Sequence, residues 1–94
     1  MGGDSFEWDE AKAAENYAKH GVPFERAREV FKNPFAIEYE DDRQDYGEQR
    51  YVVIGTVDDR LLFVAYTLRG ETIRILSARG AEPHERRQDH EEET

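Results

Sequence analysis

Residues 50–79 read RYVVIGTVDDRLLFVAYTLRGETIRILSAR, and this stretch decides the fold. Val, Ile, Tyr, Phe and Thr dominate it, the side chains that suit a pleated, half-buried surface. Asp58-Asp59 and Arg69-Gly70 interrupt it as two-residue hairpin loops, although Arg is not a preferred first turn residue. The reading is three strands, Arg50–Val57, Leu61–Leu68 and Glu71–Ala78, in an antiparallel meander. With those turns Val52 faces Ala65, Arg50 faces Thr67, Thr67 faces Thr72 and Ala65 faces Arg74. Tyr51, Val53, Leu62, Val64, Tyr66, Ile73 and Ile75 then form the more apolar face, the surface expected under helices, while Arg50 and Arg74 share the other in adjacent rows. A one-residue slip would exchange the two faces.

Upstream, Phe35–Asp41 continues the strand pattern and adds a fourth strand. Before Asn33-Pro34 the period becomes helical. Asp9 is a plausible N-cap and Gly21 a C-terminal stop for a helix over about 9–20, with a thin stripe of Trp8, Ala11, Ala14 or Glu15, and Ala18 that relies on Trp8 and Tyr17 for bulk. Pro23 suits the first turn of a second helix over about 23–32, carried by Phe24, Ala27, Val30 and Phe31. The short Gly21-Val22 link makes the two an αα-hairpin. From Pro83 the chain is polar all round, a short helix or a frayed acidic tail over 88–94, and residues 1–5 are expected to be disordered. The fold class expected is α+β, one domain over 1–94 with the order α-α-β-β-β-β-α.

Composition narrows the function. A chain of 94 residues supports one small domain, and its 11 aromatic residues make full disorder improbable. The absence of Cys excludes disulfides, thiolate nucleophiles and Cys-based zinc or iron–sulfur sites. There is no run of 18 apolar residues and no signal-peptide pattern in Met1–Ser5, so a soluble cytoplasmic protein is expected. A net charge of −9 argues against coating nucleic acid by bulk electrostatics. Basic character is instead local: residues 60–79 hold Arg60, Arg69, Arg74 and Arg79 against one acid, Glu71.

Phe6-Glu7-Trp8-Asp9, Lys12, Asn16, Lys19-His20-Gly21-Val22, Phe24, Ala27 and Phe31, then Asp42-Arg43, Tyr46-Gly47-Glu48, Arg50 and Gly55, and finally Ile73-Arg74-Ile75, Ser77-Ala78-Arg79, Ala81 and Glu85-Arg86 follow one another at a familiar spacing. Together they resemble the BrnT toxins of bacterial type II toxin–antitoxin systems, over nearly the whole chain. The resemblance implies a RelE-like fold, with two N-terminal helices packed on a four-stranded antiparallel sheet and a short C-terminal helix. It implies a ribonuclease without a cofactor, neutralised by a BrnA-like antitoxin whose ribbon-helix-helix domain binds DNA, in a dimer of heterodimers that represses its own operon. Relatives commonly carry a basic residue where Gly80 stands and often a Tyr near Asp89, which opens a second reading: a binding module of weak or absent activity, acting through the antitoxin.

Cleavage at a 2′-hydroxyl needs a base, an acid and cations for the phosphorane, and no metal in principle. Arg50 and Arg74 suit a bidentate phosphate clamp, or else pair with Glu48 or Glu71. Arg79 at a strand end, Lys19, and Arg69 in a turn are candidate substrate contacts. His20 is a candidate acid or base, imidazole being the side chain suited to proton transfer, although capping the first helix is the stronger reading of it. Glu48 or Asp45, in the loop Asp41–Glu48, is a candidate general base, and a metal held by Asp41, Asp42 and Asp45 is the weaker idea because their spacing matches no EF-hand. Trp8, Tyr17, Tyr51 and Tyr66 read as core, and His84 and His90 as surface.

Overall fold

The computed structural model describes residues 5–42, 47–82 and 84–85. Asp9 stops the chain in extended backbone and its carboxylate accepts the Ala11 and Lys12 N–H groups at 2.8 and 3.2 Å, which starts α1 (Glu10–His20). Gly21 ends it in the left-handed region at φ 73°, its N–H donating to the Tyr17 carbonyl.

The face of α1 that meets the sheet is not the expected alanine stripe. Asn16 is its buried residue, with Ala13 packed against the core, whereas Ala11, Ala14 and Ala18 are exposed and Tyr17 is 57% exposed. A few alanine methyls offer less than 1 kcal/mol each on burial. Asn16 offers polar contacts that the sheet needs: its amide N–H group donates to the Ala78 carbonyl at 2.8 Å and to the Val22 carbonyl at 3.2 Å, and its oxygen accepts the Ala78 N–H at 3.1 Å. The side chain bonds the edge of a strand as a neighbouring peptide would.

The second helix is shorter than expected. α2 (Phe24–Ala27) tightens into a 3₁₀ stretch over Arg28–Lys32, with Pro23 as its N-cap. Phe24, Ala27 and Val30 recur every third residue, the 3₁₀ repeat, and all three are buried. Asn33 then closes an Asx turn by accepting the Phe35 N–H at 2.8 Å and ties it to the sheet by donating to the Thr56 carbonyl at 3.1 Å. Phe35, expected to begin a strand, is 76% exposed. Gly55 lets this turn approach: a Cβ there would lie 2.9 Å from a Val30 methyl and 3.0 Å from the Ala36 Cβ.

The sheet has five strands, not four, and is mixed. β1 (Phe6–Glu7) precedes α1, and β2 (Ile37–Asp41), β3 (Arg50–Val57), β4 (Arg60–Arg69) and β5 (Thr72–Gly80) follow, in the spatial order β1-β5-β4-β3-β2. β1 runs parallel to β5, with Phe6 beside Ile73 and Glu7 beside Arg74. Two residues carry no readable alternation, so only tertiary pairing reveals this strand.

The β3–β4 hairpin is as expected, Val52 facing Ala65 across Asp58-Asp59, both at positive φ as a type I′ loop requires. The β4–β5 hairpin is not. Its loop is Gly70-Glu71, Arg69 pairs with Thr72, and Thr67 faces Arg74 rather than Thr72. Gly70, at φ 62°, takes the first loop position that an Arg disfavours. The shift is two residues, so each side chain keeps its expected face.

A β-bulge at the Ala65/Tyr66 step then inserts one extra residue in β5, pairing Tyr66 with Ile75 but Ala65 with Ser77. Beyond it Ala78 turns under the helices. The core joins Val22, Phe24, Ala27 and Val30 to Val53, Leu62, Val64, Tyr66, Ile73, Ile75 and Ala78, on the expected face. Trp8 meets Phe24 edge-on at 5.9 Å. The second face carries a smaller cluster of Val52, Ile54 and Phe63, flanked by Leu61 and Ala81. His84 and Glu85 are helical, and the remainder of the expected C-terminal helix and the 88–94 tail lie outside the described residues.

Asn16→Ala is expected to lower the unfolding free energy by about 2–4 kcal/mol, because it orphans the buried N–H and C=O of Ala78. Urea denaturation measures this, and an unchanged midpoint would refute it.

Candidate functional site

The Gly70-Glu71 turn puts Arg74 level with Thr67, and the β3–β4 pairing carried one step past Tyr51 and Tyr66 puts Arg50 on Thr67's other side. Asp41 pairs with Arg50 and Glu7 with Arg74. The second face is therefore crossed by one transverse row, Asp41, Arg50, Thr67, Arg74 and Glu7, one residue from each strand. At about 4.8 Å per strand, the two arginine backbones stand about 10 Å apart. They share one row instead of two adjacent rows.

Each member is held. Thr67 is buried and its hydroxyl donates to the Gln49 carbonyl at 2.6 Å. Arg50 Nε lies 3.5 Å from Glu48 Oε2, both side chains one-third exposed. Arg74 Nη1 donates to Glu7 Oε2 at 2.8 Å, and Arg69 Nε stands 4.0 Å from the same oxygen.

Arg79, which the bulge turns onto this face, is locked. Its guanidinium stacks 4.0 Å from the Phe63 ring centroid and makes a two-point contact with Glu85, Nη2 to Oε2 at 2.7 Å and Nη1 to Oε1 at 3.0 Å. Glu85 Oε1 also accepts the Glu82 N–H at 2.8 Å. These bonds, Arg79's first, hold the Glu85 carboxyl below its ordinary value of 4.5, although burial pushes it the other way. Arg60 lays its guanidinium against Gly80, its Nη2 3.2 Å from where a Cβ would stand.

The helix-covered side differs in chemistry. Tyr66 donates to Glu38 at 2.9 Å and stacks with Tyr51 at 5.5 Å, and Phe31 meets Tyr66 edge-on at 5.0 Å. Burial, and then the Glu38 carboxylate, push the Tyr66 hydroxyl above its ordinary value, so it serves as a donor. Half-buried His20 and exposed Lys19 close α1 on this side and do not join Arg50 and Arg74. Asp41 is buried at the row's end, Asp42 is exposed, and Asp45 and His90 lie outside the described residues. Exposed His84 precedes Glu85.

A cleft of about 310 Å³, lined by residues including Arg26, Lys32, Asn33 and Asp58, lies at the opposite end of β3 from Arg50. Its cations are neutralised locally, Arg26 by Asp58 at 2.8 Å and Lys32 by Glu29 at 3.4 Å. The row's missed members are Glu7 and Thr67: Glu7 belongs to a strand with no sequence signal, and Thr67 acquires its place from the turn.

A paired arginine row on an acidic chain is a setting for a phosphate-bearing ligand. The family model described as ribonuclease toxin, BrnT, of type II toxin-antitoxin system matches residues 8–85. The chain belongs to this family. It is thus a member of a family of ribonuclease toxins whose partner is an antitoxin. No curated protein matches the chain. The matched span runs from Trp8 to Glu85 and takes in Arg50, Arg74 and Arg79, while Glu7 lies one residue before it. No helix among the described residues is long and apolar enough to cross a membrane.

Because the Glu85 carboxyl is held low in the folded chain, its stabilisation is complete above the ordinary value and is lost as pH falls through the depressed one. Acidification below about 4.5 is expected to cost the wild type more thermal stability than Glu85→Gln. Parallel unfolding curves against pH would refute this.

Proposed function

We propose that the chain is a metal-independent endoribonuclease toxin of RelE-like fold, acting in the cytoplasm on single-stranded or ribosome-associated RNA. Carrying this reading is the register that aligns Arg50 and Arg74 on either side of Thr67. Two planar, permanently charged donors at that spacing bind a phosphodiester and face the charge that builds on phosphorus in the transition state. Arg69, beside Glu7 and Arg74, extends the cationic end of the row. A carboxylate next to one arginine, Glu48 or Glu7, accepts the 2′-hydroxyl proton. His20 and Lys19 serve to close α1, where cations complement the helix dipole. Arg79 anchors the chain after β5 through Glu85, which leaves phosphate binding to the row.

Acid at the surface fits the proposed partner, a BrnA-like ribbon-helix-helix antitoxin, since a basic segment is drawn to a chain of net charge −9. DNA is then met only through the antitoxin, in a dimer of heterodimers. A second reading, an inactive docking module, is favoured by one observation: Arg50, Arg74 and Arg79 each contact a carboxylate.

Inducing the chain in bacteria is expected to arrest growth with loss of RNA. Arg74→Ala is expected to abolish both at unchanged expression and fold, and a co-expressed antitoxin to relieve both. Healthy growth with folded, antitoxin-bound wild type would select the docking module.

A further inference from the structure

Of the carboxylates that meet an arginine on the second face, three differ in what their oxygens are doing. Glu85 is engaged at both oxygens by Arg79 and by the Glu82 N–H. Glu48 stands 3.5 Å from Arg50 Nε. Glu7 makes a 2.8 Å bond to Arg74 and a 4.0 Å ion pair to Arg69, both through Oε2. Its Oε1 accepts no hydrogen bond among the described residues, and its side chain is 40% exposed. A base beside a bound anion needs both features, a cation that holds the carboxylate in place and a lone pair open to the substrate.

We propose that Glu7 is the catalytic base of this toxin, taking the proton of the RNA 2′-hydroxyl while Arg74 holds the adjacent phosphate; the assignment rests on the ribonuclease reading above. Arg74 gives one N–H to Glu7 and has other donors on its fork for a phosphate oxygen. A phosphate bonded there brings the 2′-hydroxyl of the preceding ribose toward Glu7. Glu7 Oε1 removes the proton, the 2′-oxygen forms its bond to phosphorus, and the bond from phosphorus to the 5′-oxygen breaks. The departing electron pair stays on the 5′-oxygen, which takes a proton from water. Negative charge added at phosphorus faces Arg74 and Arg50. The products are a 2′,3′-cyclic phosphate and a 5′-hydroxyl, and Glu7 returns its proton to solvent. Among the described residues Arg74 on β5 and Arg69 at the end of β4 are the charged groups paired with Glu7; the hydroxyls of Ser5 and Thr72, 3.1 Å apart and next along the strands, are neutral.

This also gives β1 a purpose. Its two residues pin Phe6 beside Ile73 on the helix side and present Glu7 to Arg74 on the other, a placement that no loop would hold as firmly.

The test is cleavage of an end-labelled, single-stranded RNA of mixed sequence by purified wild type, Glu7→Gln, Glu7→Asp, Glu48→Gln and Arg74→Ala across a pH series. Glu7→Gln is expected to lose roughly a hundredfold or more in kcat with little change in KM, and to lose the rise of rate with pH. Glu7→Asp is expected to recover part of both. The thermal midpoint of Glu7→Gln should stay close to wild type, because a half-exposed ion pair contributes little stability. Wild-type rate and pH profile in Glu7→Gln, with Arg74→Ala or Glu48→Gln inactive, would overturn the assignment and leave the ribonuclease reading intact. A loss confined to KM with an unchanged pH profile would make Glu7 only a support for Arg74 and would equally overturn it. Folded wild type that cuts no RNA would overturn both readings.

Discussion

One buried amide sets how the first helix sits on the sheet. Asn16 meets the N–H and the C=O of Ala78, and through Val22 it also ties down the chain that leaves α1. Ala78 lies beyond the short β1 pairing, on the flank of β5 opposite β4, where an unpaired peptide buried away from water would cost about 1–3 kcal/mol per group. Asn16 supplies both partners from a helix. The rotation of α1 follows from that bond and not from its alanines, which is why Tyr17 faces solvent while Trp8 and Ala13 face the core.

The bulge in β5 is the complement of this clamp. It reverses the alternation after Ile75, so that Ala78, small enough to sit under a helix, meets Asn16, and Arg79 crosses to the far face to stack on Phe63. Without the extra residue an arginine would stand where the core needs a methyl, at a desolvation cost of several kcal/mol. Ahead of the bulge the Gly70-Glu71 turn sets the other half of the site by lining up Arg50, Thr67 and Arg74. Two backbone irregularities, a turn before β5 and a bulge in its middle, therefore arrange its arginines, Arg74 in the row beside Glu7 and Arg79 as an anchor on Glu85.

Acidity overall and cationic character in one row are compatible because the arginines are held by carboxylates of the same molecule. Such pairs are half-exposed and cheap to exchange. On the proposed reading a phosphodiester takes the guanidinium donors that the carboxylates leave over, without a strong field that would hold every nucleic acid in the cell. On that reading the antitoxin is left the acidic remainder of the surface, and the two proposed partners draw on opposite charges of one small domain.

The sequence by itself determined the first helix's caps, the hairpins' existence, the identity of the covered face and the family, because these rest on local signals: Asp9 and Gly21, the Asp58-Asp59 turn, the alternation of Val53, Leu62, Val64 and Ile75, and motifs at fixed spacing. It also singled out Arg50 and Arg74. Tertiary structure alone decided that they share one row, because a two-residue register shift keeps every face and so leaves the hydrophobic pattern indifferent to it. It alone decided that Phe6-Glu7 is a strand, since a parallel pair formed across 67 residues leaves no trace in a two-residue segment. It placed His20 on the opposite side of the sheet from the arginines and committed Arg79 to Glu85, which no periodicity encodes. Local geometry is written in neighbouring residues; which charges meet is written in the closure of the sheet.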